Sequence, residues 1–80
     1  PGVAVRVVLD GRRIKVTSSD FRSQLFPLGS VIDEGVLLWH PNTKQWIVGA
    51  SPADAEARDV GGCSAGPAVI DLNARVYWYC

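Results

Sequence analysis

The sequence predicts a mainly β domain, α+β at its margin, in which three antiparallel hairpins form a small barrel or sandwich with one or two short helices. Three observations predict it. β-Branched residues alternate on both sides of Asp10-Gly11, tryptophans flank the turn-forming stretch Pro41–Lys44, and the chain ends in apolar runs about Leu72-Asn73. Six short strands in 80 residues bury their apolar faces only by curling against one another.

Residues 3–17 read VAVRVVLDGRRIKVT, with Val3, Val5, Val7 and Leu9 on one parity and Ile14 and Val16 beyond the turn. Asp-Gly between β-branched runs is a strong hairpin signal, because a type I′ turn needs positive φ at both central residues. A two-residue turn at Asp10-Gly11 pairs Val7 with Ile14, Val5 with Val16, Arg6 with Lys15 and Val8 with Arg13. In SSDFRSQLFPLG (Ser18–Gly29), Phe21 and Leu25 are four apart and Pro27 stops continuation, so one or two helical turns or a compact loop fit equally well. Val36–His40 and Gln45–Val48 then read as strands around Pro41-Asn42-Thr43-Lys44. A four-residue loop sets Trp39 opposite Trp46, a cross-strand aromatic pair worth about 0.2–1 kcal/mol over Ala–Ala.

Ser51-Pro52-Ala53-Asp54 has the marks of a helix start, with Ser as N-cap and Pro in the first turn, which predicts a short helix over Pro52–Asp59 ending at Gly61-Gly62. Ala68–Asp71 and Arg75–Tyr79 complete a third hairpin in which Val69 faces Val76. No repeat, linker or low-complexity stretch interrupts residues 1–80, which read as one domain.

Composition narrows the function. Eight basic residues balance eight acidic ones, which argues against electrostatic binding of nucleic acid or an anionic membrane. No apolar run approaches the ~20 residues of a spanning helix. The sequence contains no Met and opens on Pro1, so the N-terminus reads as processed or trimmed. A chain of this length buries only about 60% of its extended surface and gains from a staple. Cys63 and Cys80 permit one bridge, within reach if the loop before the last hairpin bends. Such a bridge favours an extracellular or virion location; with reduced thiols the compartment stays open. His40, Cys63 and Cys80 lack the spacing of metal ligands, and neither metal nor cofactor is expected.

Among catalytic patterns, GCSAGP (Gly62–Pro67) with the following AVIDLNARV resembles the nucleophile segment of chymotrypsin-like serine proteases. The resemblance implies Ser64 as nucleophile, with backbone amides near Gly62–Ser64 as the oxyanion hole. Ala65 replaces a glycine of that motif and Cys63 its acid, and Asp20 stands where the histidine context would fall; the lone histidine is His40. Pro1 before an alternating strand is similar to the tautomerases, which would make the proline amine a base and Arg12 or Arg13 a carboxylate anchor. The Asp10-Gly11 hairpin stands in place of that family's long helix.

Gly35–Gly49, GVLLWHPNTKQWIVG, resembles hairpins of bacteriophage virion proteins, including tail-fibre and decoration modules, at Gly35, Leu37, Trp39, Thr43, Lys44, Trp46 and Gly49. That resemblance implies a β-rich structural protein that attaches to a shell or host surface, often as an oligomer. Trp39, Trp46, Tyr77, Trp78 and Tyr79 lie on strands with differing parity, more aromatic surface than a small core hides, so part of it is expected in an interface. Arg12, Arg13 and Lys15 read as a solvated basic face. The expectation is a non-catalytic structural or interaction module, such as a virion decoration or assembly protein, with a protein partner or a second copy as ligand and neither nucleic acid nor membrane. The alternatives are a secreted inhibitor or toxin-neutralising domain, and a degenerate serine hydrolase using Ser64 and His40.

Overall fold

A computed structural model describes residues 1–61, 63 and 66–80 of the chain. Six antiparallel strands form one sheet: β1 (Gly2–Asp10), β2 (Arg13–Ser18), β3 (Val31–His40), β4 (Gln45–Gly49), β5 (Ala68–Asp71) and β6 (Val76–Trp78). Each pairs with its neighbour in sequence, and β1 also pairs with β6, so the ring of strands closes as a barrel. The three hairpin turns lie at one end. The longer β2–β3 and β4–β5 connections and both termini lie at the other.

Alternation decides which side chains enter the barrel. Val3, Val5, Ile14, Val16, Val48, Ala68, Ile70 and Tyr77 form the interior cluster. A second cluster, Leu38, Ile47 and Val69, lies outside the barrel wall beneath Ala55 and Val60. The stretch Val36–Trp39, apolar on both parities, is thereby used on both faces: Leu37 packs toward the interior and Leu38 under the β4–β5 connection.

The first hairpin keeps its predicted parity but not its register. Val7 pairs with Val16, Leu9 with Ile14, Arg6 with Thr17, Val8 with Lys15 and Asp10 with Arg13. Gly11 has φ 60° and Arg12 is not in the positive region, the pattern of a type II′ turn with glycine at its first central position. Asp10 therefore stays in the strand, where it opposes a cation. The change moves every partner by two residues, which leaves the same side chains inside.

β3 begins at Val31, five residues before the predicted Val36. A bulge accommodates Ile32, since Thr17 pairs with Val31 but Val16 with Asp33, and Ile32 packs on the core. The extension serves Tyr77: its hydroxyl, on a ring only 8% exposed, donates to Asp33 Oδ2 at 2.7 Å. Residues 19–30 form a compact loop and no helix. It is held where the Ser18 hydroxyl donates to the Phe26 carbonyl (2.8 Å) and the Ser23 hydroxyl accepts from the Phe26 amide (3.0 Å). Phe21 and Leu25, spaced as a helical pair, are exposed.

The predicted helix over Pro52–Asp59 is a 3₁₀ turn over Pro52–Glu56. Asp54 accepts from the Ala50 amide at 2.7 Å, and the chain leaves the helix at Ala57, whose carbonyl is taken by His40. In the third hairpin Val69 faces Trp78, not Val76, and Asp71 faces Val76. Asp71 Oδ1 accepts from the amides of Asn73 (3.0 Å) and Ala74 (2.9 Å), which widens the turn to Leu72–Arg75 and shifts the register. Cys63 and Cys80 form a disulfide with Cα atoms 4.7 Å apart. The bridge is compatible with an extracellular or virion location.

Candidate interaction surface

The five aromatic residues singled out in the sequence separate into two groups. Trp39 and Trp46 are direct partners across the β3–β4 ladder, as the four-residue turn predicts. Their rings meet edge to face, centroids 5.2 Å apart at 68°, a geometry favoured by the aromatic quadrupole. Trp39 (46% exposed), Trp46 (39%) and Trp78 (45%) keep much of their surface in water. Tyr77 belongs instead to the core, and half-buried Tyr79 stacks edge to face on Phe26 (5.0 Å) at the opposite end.

The Trp39–Trp46 pair stands between two concavities. On one side lies a hollow of about 370 Å³ lined by Gly11, Arg12, Leu37 and Leu38 as well as the pair. Its chemistry is apolar apart from Arg12, and Leu9, 52% exposed, continues the interior-facing parity of β1 toward it. On the other side lies a cleft of about 250 Å³ toward Trp78, with Lys44, Gln45, Asp71 and Asn73 among its walls. This cleft exists because β4 and β5 pair at only two positions, Ile47 with Val69 and Val48 with Ala68. Beyond those pairs the two hairpin ends part.

Near the opposite end a cleft of about 590 Å³ is lined by Asp33, Glu34, Asp54, Tyr77 and Tyr79 with the segment around the disulfide. Burial, then the hydrogen bond to Asp33, then the charge of Asp33 push the Tyr77 phenol well above the usual tyrosine range. Two of these carboxylates already hold protein partners, Asp33 the Tyr77 hydroxyl and Asp54 the Ala50 amide. Among the described residues no group of three or more His, Cys, Asp or Glu is placed to hold a metal ion.

His40, the alternative catalytic residue, is fully buried. Its Nε2–H donates to the Ala57 carbonyl (2.6 Å), since a carbonyl only accepts, and Nδ1 is hydrogen-bonded to the Thr43 hydroxyl (2.7 Å). Neither nitrogen is free to move a proton for a substrate. Ser64 lies outside the described residues. Cys63 and Cys80 are committed to each other, so the three candidate ligands His40, Cys63 and Cys80 do not form a metal set.

Sequence reading missed Lys44, Gln45, Asp71 and Asn73 as neighbours of the tryptophans. All four lie in or beside turns, where polar residues are explained by the turn itself. Placing all three hairpin turns at one end is the step that joins them. Among the described residues no helix is long and apolar enough to cross a membrane. Compared with known proteins, the chain matches no family model, no curated protein and no solved structure.

Proposed function

We propose that this chain is a non-catalytic interaction module that binds a protein, a second copy of itself included, through the apolar side of its tryptophan end. The observation that carries the reading is the convergence of Leu37, Leu38, Trp39 and Trp46 on one hollow at the turn end, with Leu9 exposed on the interior-facing parity of β1. Half-exposed tryptophan beside aliphatic surface is the composition of interface hot spots, where a few aromatic anchors dominate binding. Arg12 at the edge adds a charge-assisted rim contact. The barrel is the scaffold that holds these groups in place, and the disulfide suits a particle surface or an extracellular setting. The more specific form is assembly into a virus particle as a decoration or tail component. That form rests on the resemblance of Gly35–Gly49 to virion hairpins, which supplies Trp39 and Trp46.

Light scattering across a wide concentration range tests the self-association form, with Leu9→Ser and Trp39→Ser as surface variants. Concentration-dependent association in the parent, lost in both variants while both stay folded, with Trp39→Ser melting slightly lower through loss of its pair with Trp46, is the expected result. A parent that stays monomeric throughout sinks self-association and leaves a heterologous partner, as for an inhibitor. Covalent labelling of Ser64 by a fluorophosphonate would overturn the non-catalytic reading altogether.

A further inference from the structure

We infer that the cleft on the other side of the tryptophan pair, between Trp46 and Trp78, is a binding site for a neutral oligosaccharide. The two indoles come from β4 and β6 and flank a trough opened by the short β4–β5 pairing. Both rings are roughly half exposed. A pyranose ring presents its axial C–H groups to such an aromatic face and its hydroxyls to the sides. The sides here carry what hydroxyls need: the amides of Gln45 and Asn73 donate and accept, the Lys44 ammonium donates and the Asp71 carboxylate accepts.

Two further observations favour this ligand. Lys44 and Asp71 carry opposite charges, so the lining has no net charge and matches a neutral sugar better than a phosphate or an acidic glycan. Trp78 is also seated firmly for a surface residue. It lies across from Gly2 in the β1–β6 ladder, and a methyl group on Gly2 would stand 3.1 Å from its Cε3 and Cζ3 atoms. The space that a side chain on Gly2 would fill is taken first by Val76 Cγ1, 2.6 Å away, and bordered by the benzo edge of the indole, so that edge lies against the barrel wall while 45% of the residue stays exposed. A platform ordered before binding loses little entropy on contact.

The apolar hollow and this polar cleft share the Trp39–Trp46 pair but differ in Trp78, Asn73 and Asp71 on one side and Gly11, Arg12 and Leu37 on the other. The saccharide site therefore stands independently of the protein-binding reading. Isothermal titration calorimetry and amide chemical shifts should be followed with the β-1,4-linked tetrasaccharides of glucose, N-acetylglucosamine and mannose. The expected result is saturable binding of at least one, with Kd on the order of 0.1–1 mM and shifts centred on Lys44–Trp46, Asp71–Asn73 and Trp78. Trp78→Ala should weaken it at least about tenfold, and Asn73→Ala several-fold, in variants still folded at the assay temperature, while Leu9→Ser leaves it intact. No saturable binding of any of the three sugars overturns the proposal, as does binding that Trp78→Ala leaves unchanged. Shifts in this cleft with a proline-rich peptide but with no sugar would also overturn it, while leaving a protein-binding module.

Discussion

His40 has no exposed surface and no open nitrogen, so its contribution is to stability. Replacing it by alanine removes two hydrogen bonds, strands the Ala57 carbonyl and leaves a cavity under the β4–β5 connection, a loss of about 3 kcal/mol. Thr43→Ala removes one of those bonds near the surface and should cost about 1 kcal/mol. Urea denaturation of the two variants checks both values, and equal small losses would contradict this role for the imidazole. Tyr77 makes a different prediction. Its folded state holds the phenolic proton more tightly than the unfolded chain does, because burial and Asp33 both disfavour the phenolate. The stability it contributes is whole below the unfolded tyrosine value of about 10 and is lost as pH rises from there toward the folded value. Stability should therefore fall on the alkaline side of about pH 10, and Tyr77→Phe should flatten that limb, as read from denaturation midpoints between neutral and alkaline pH. An unchanged slope in the variant would refute the assignment.

Among the elements, two four-residue turns end alike, in a non-glycine residue with positive φ: Lys44 (55°) and Arg75 (57°). A side chain there costs about 1 kcal/mol, partly offset because glycine would lose more entropy on folding. Lys44→Gly should stabilise the barrel by about 0.5 kcal/mol. Arg75→Gly should gain less, because the Arg75 guanidinium donates to the Leu72 carbonyl within its own turn. Paired thermal melts measure the difference, and a destabilised Lys44→Gly would show that Lys44 makes compensating contacts. Such turns also explain what was legible in the sequence. The Trp39–Trp46 register was readable because a four-residue turn and a favourable aromatic pair agree. The parity of β1 and β2 was readable from alternation alone. Their register was not, because pairings two residues apart bury the same valines, and only the positive φ of Gly11 without one at Asp10 separates them. The start of β3 was hidden by Asp33 and Glu34, which resemble loop residues until Tyr77, 44 positions away, supplies the reason for a carboxylate there. Between the helical turns and the compact loop that fit Ser18–Gly29 equally well, the loop is what forms: local bonds from Ser18 and Ser23 hold it and leave the Phe21 and Leu25 side chains in water.

For the molecule as a whole, closure of the barrel depends on its three shortest ladders. β1–β6 and β5–β6 pair at three positions each and β4–β5 at two, whereas β2 pairs with β1 at six and β3 with β4 at five. The β1–β6 seam is extended by the Tyr79 amide, which donates to the Pro1 carbonyl at 2.9 Å. The disulfide ties Cys80, just beyond β6, to Cys63, just before β5, and so closes a segment that contains both strands of the weak side. Its sequence separation of 17 residues corresponds to about 3 kcal/mol of restricted unfolded-state entropy. A domain of this size has roughly 4–12 kcal/mol of total stability, so the bridge accounts for a large fraction of it. The double variant Cys63→Ser, Cys80→Ser should still fold but lose about 3 kcal/mol in urea denaturation. Hydrogen exchange should show where the loss falls. Amides of β6, and the Gly61 amide that donates to the Pro67 carbonyl, should lose protection before those of the β2–β3 ladder, because they belong to the seam the bridge holds. Uniform loss of protection across all six strands would mean that the bridge acts only on the unfolded chain. An unchanged midpoint would mean that the barrel closes without it.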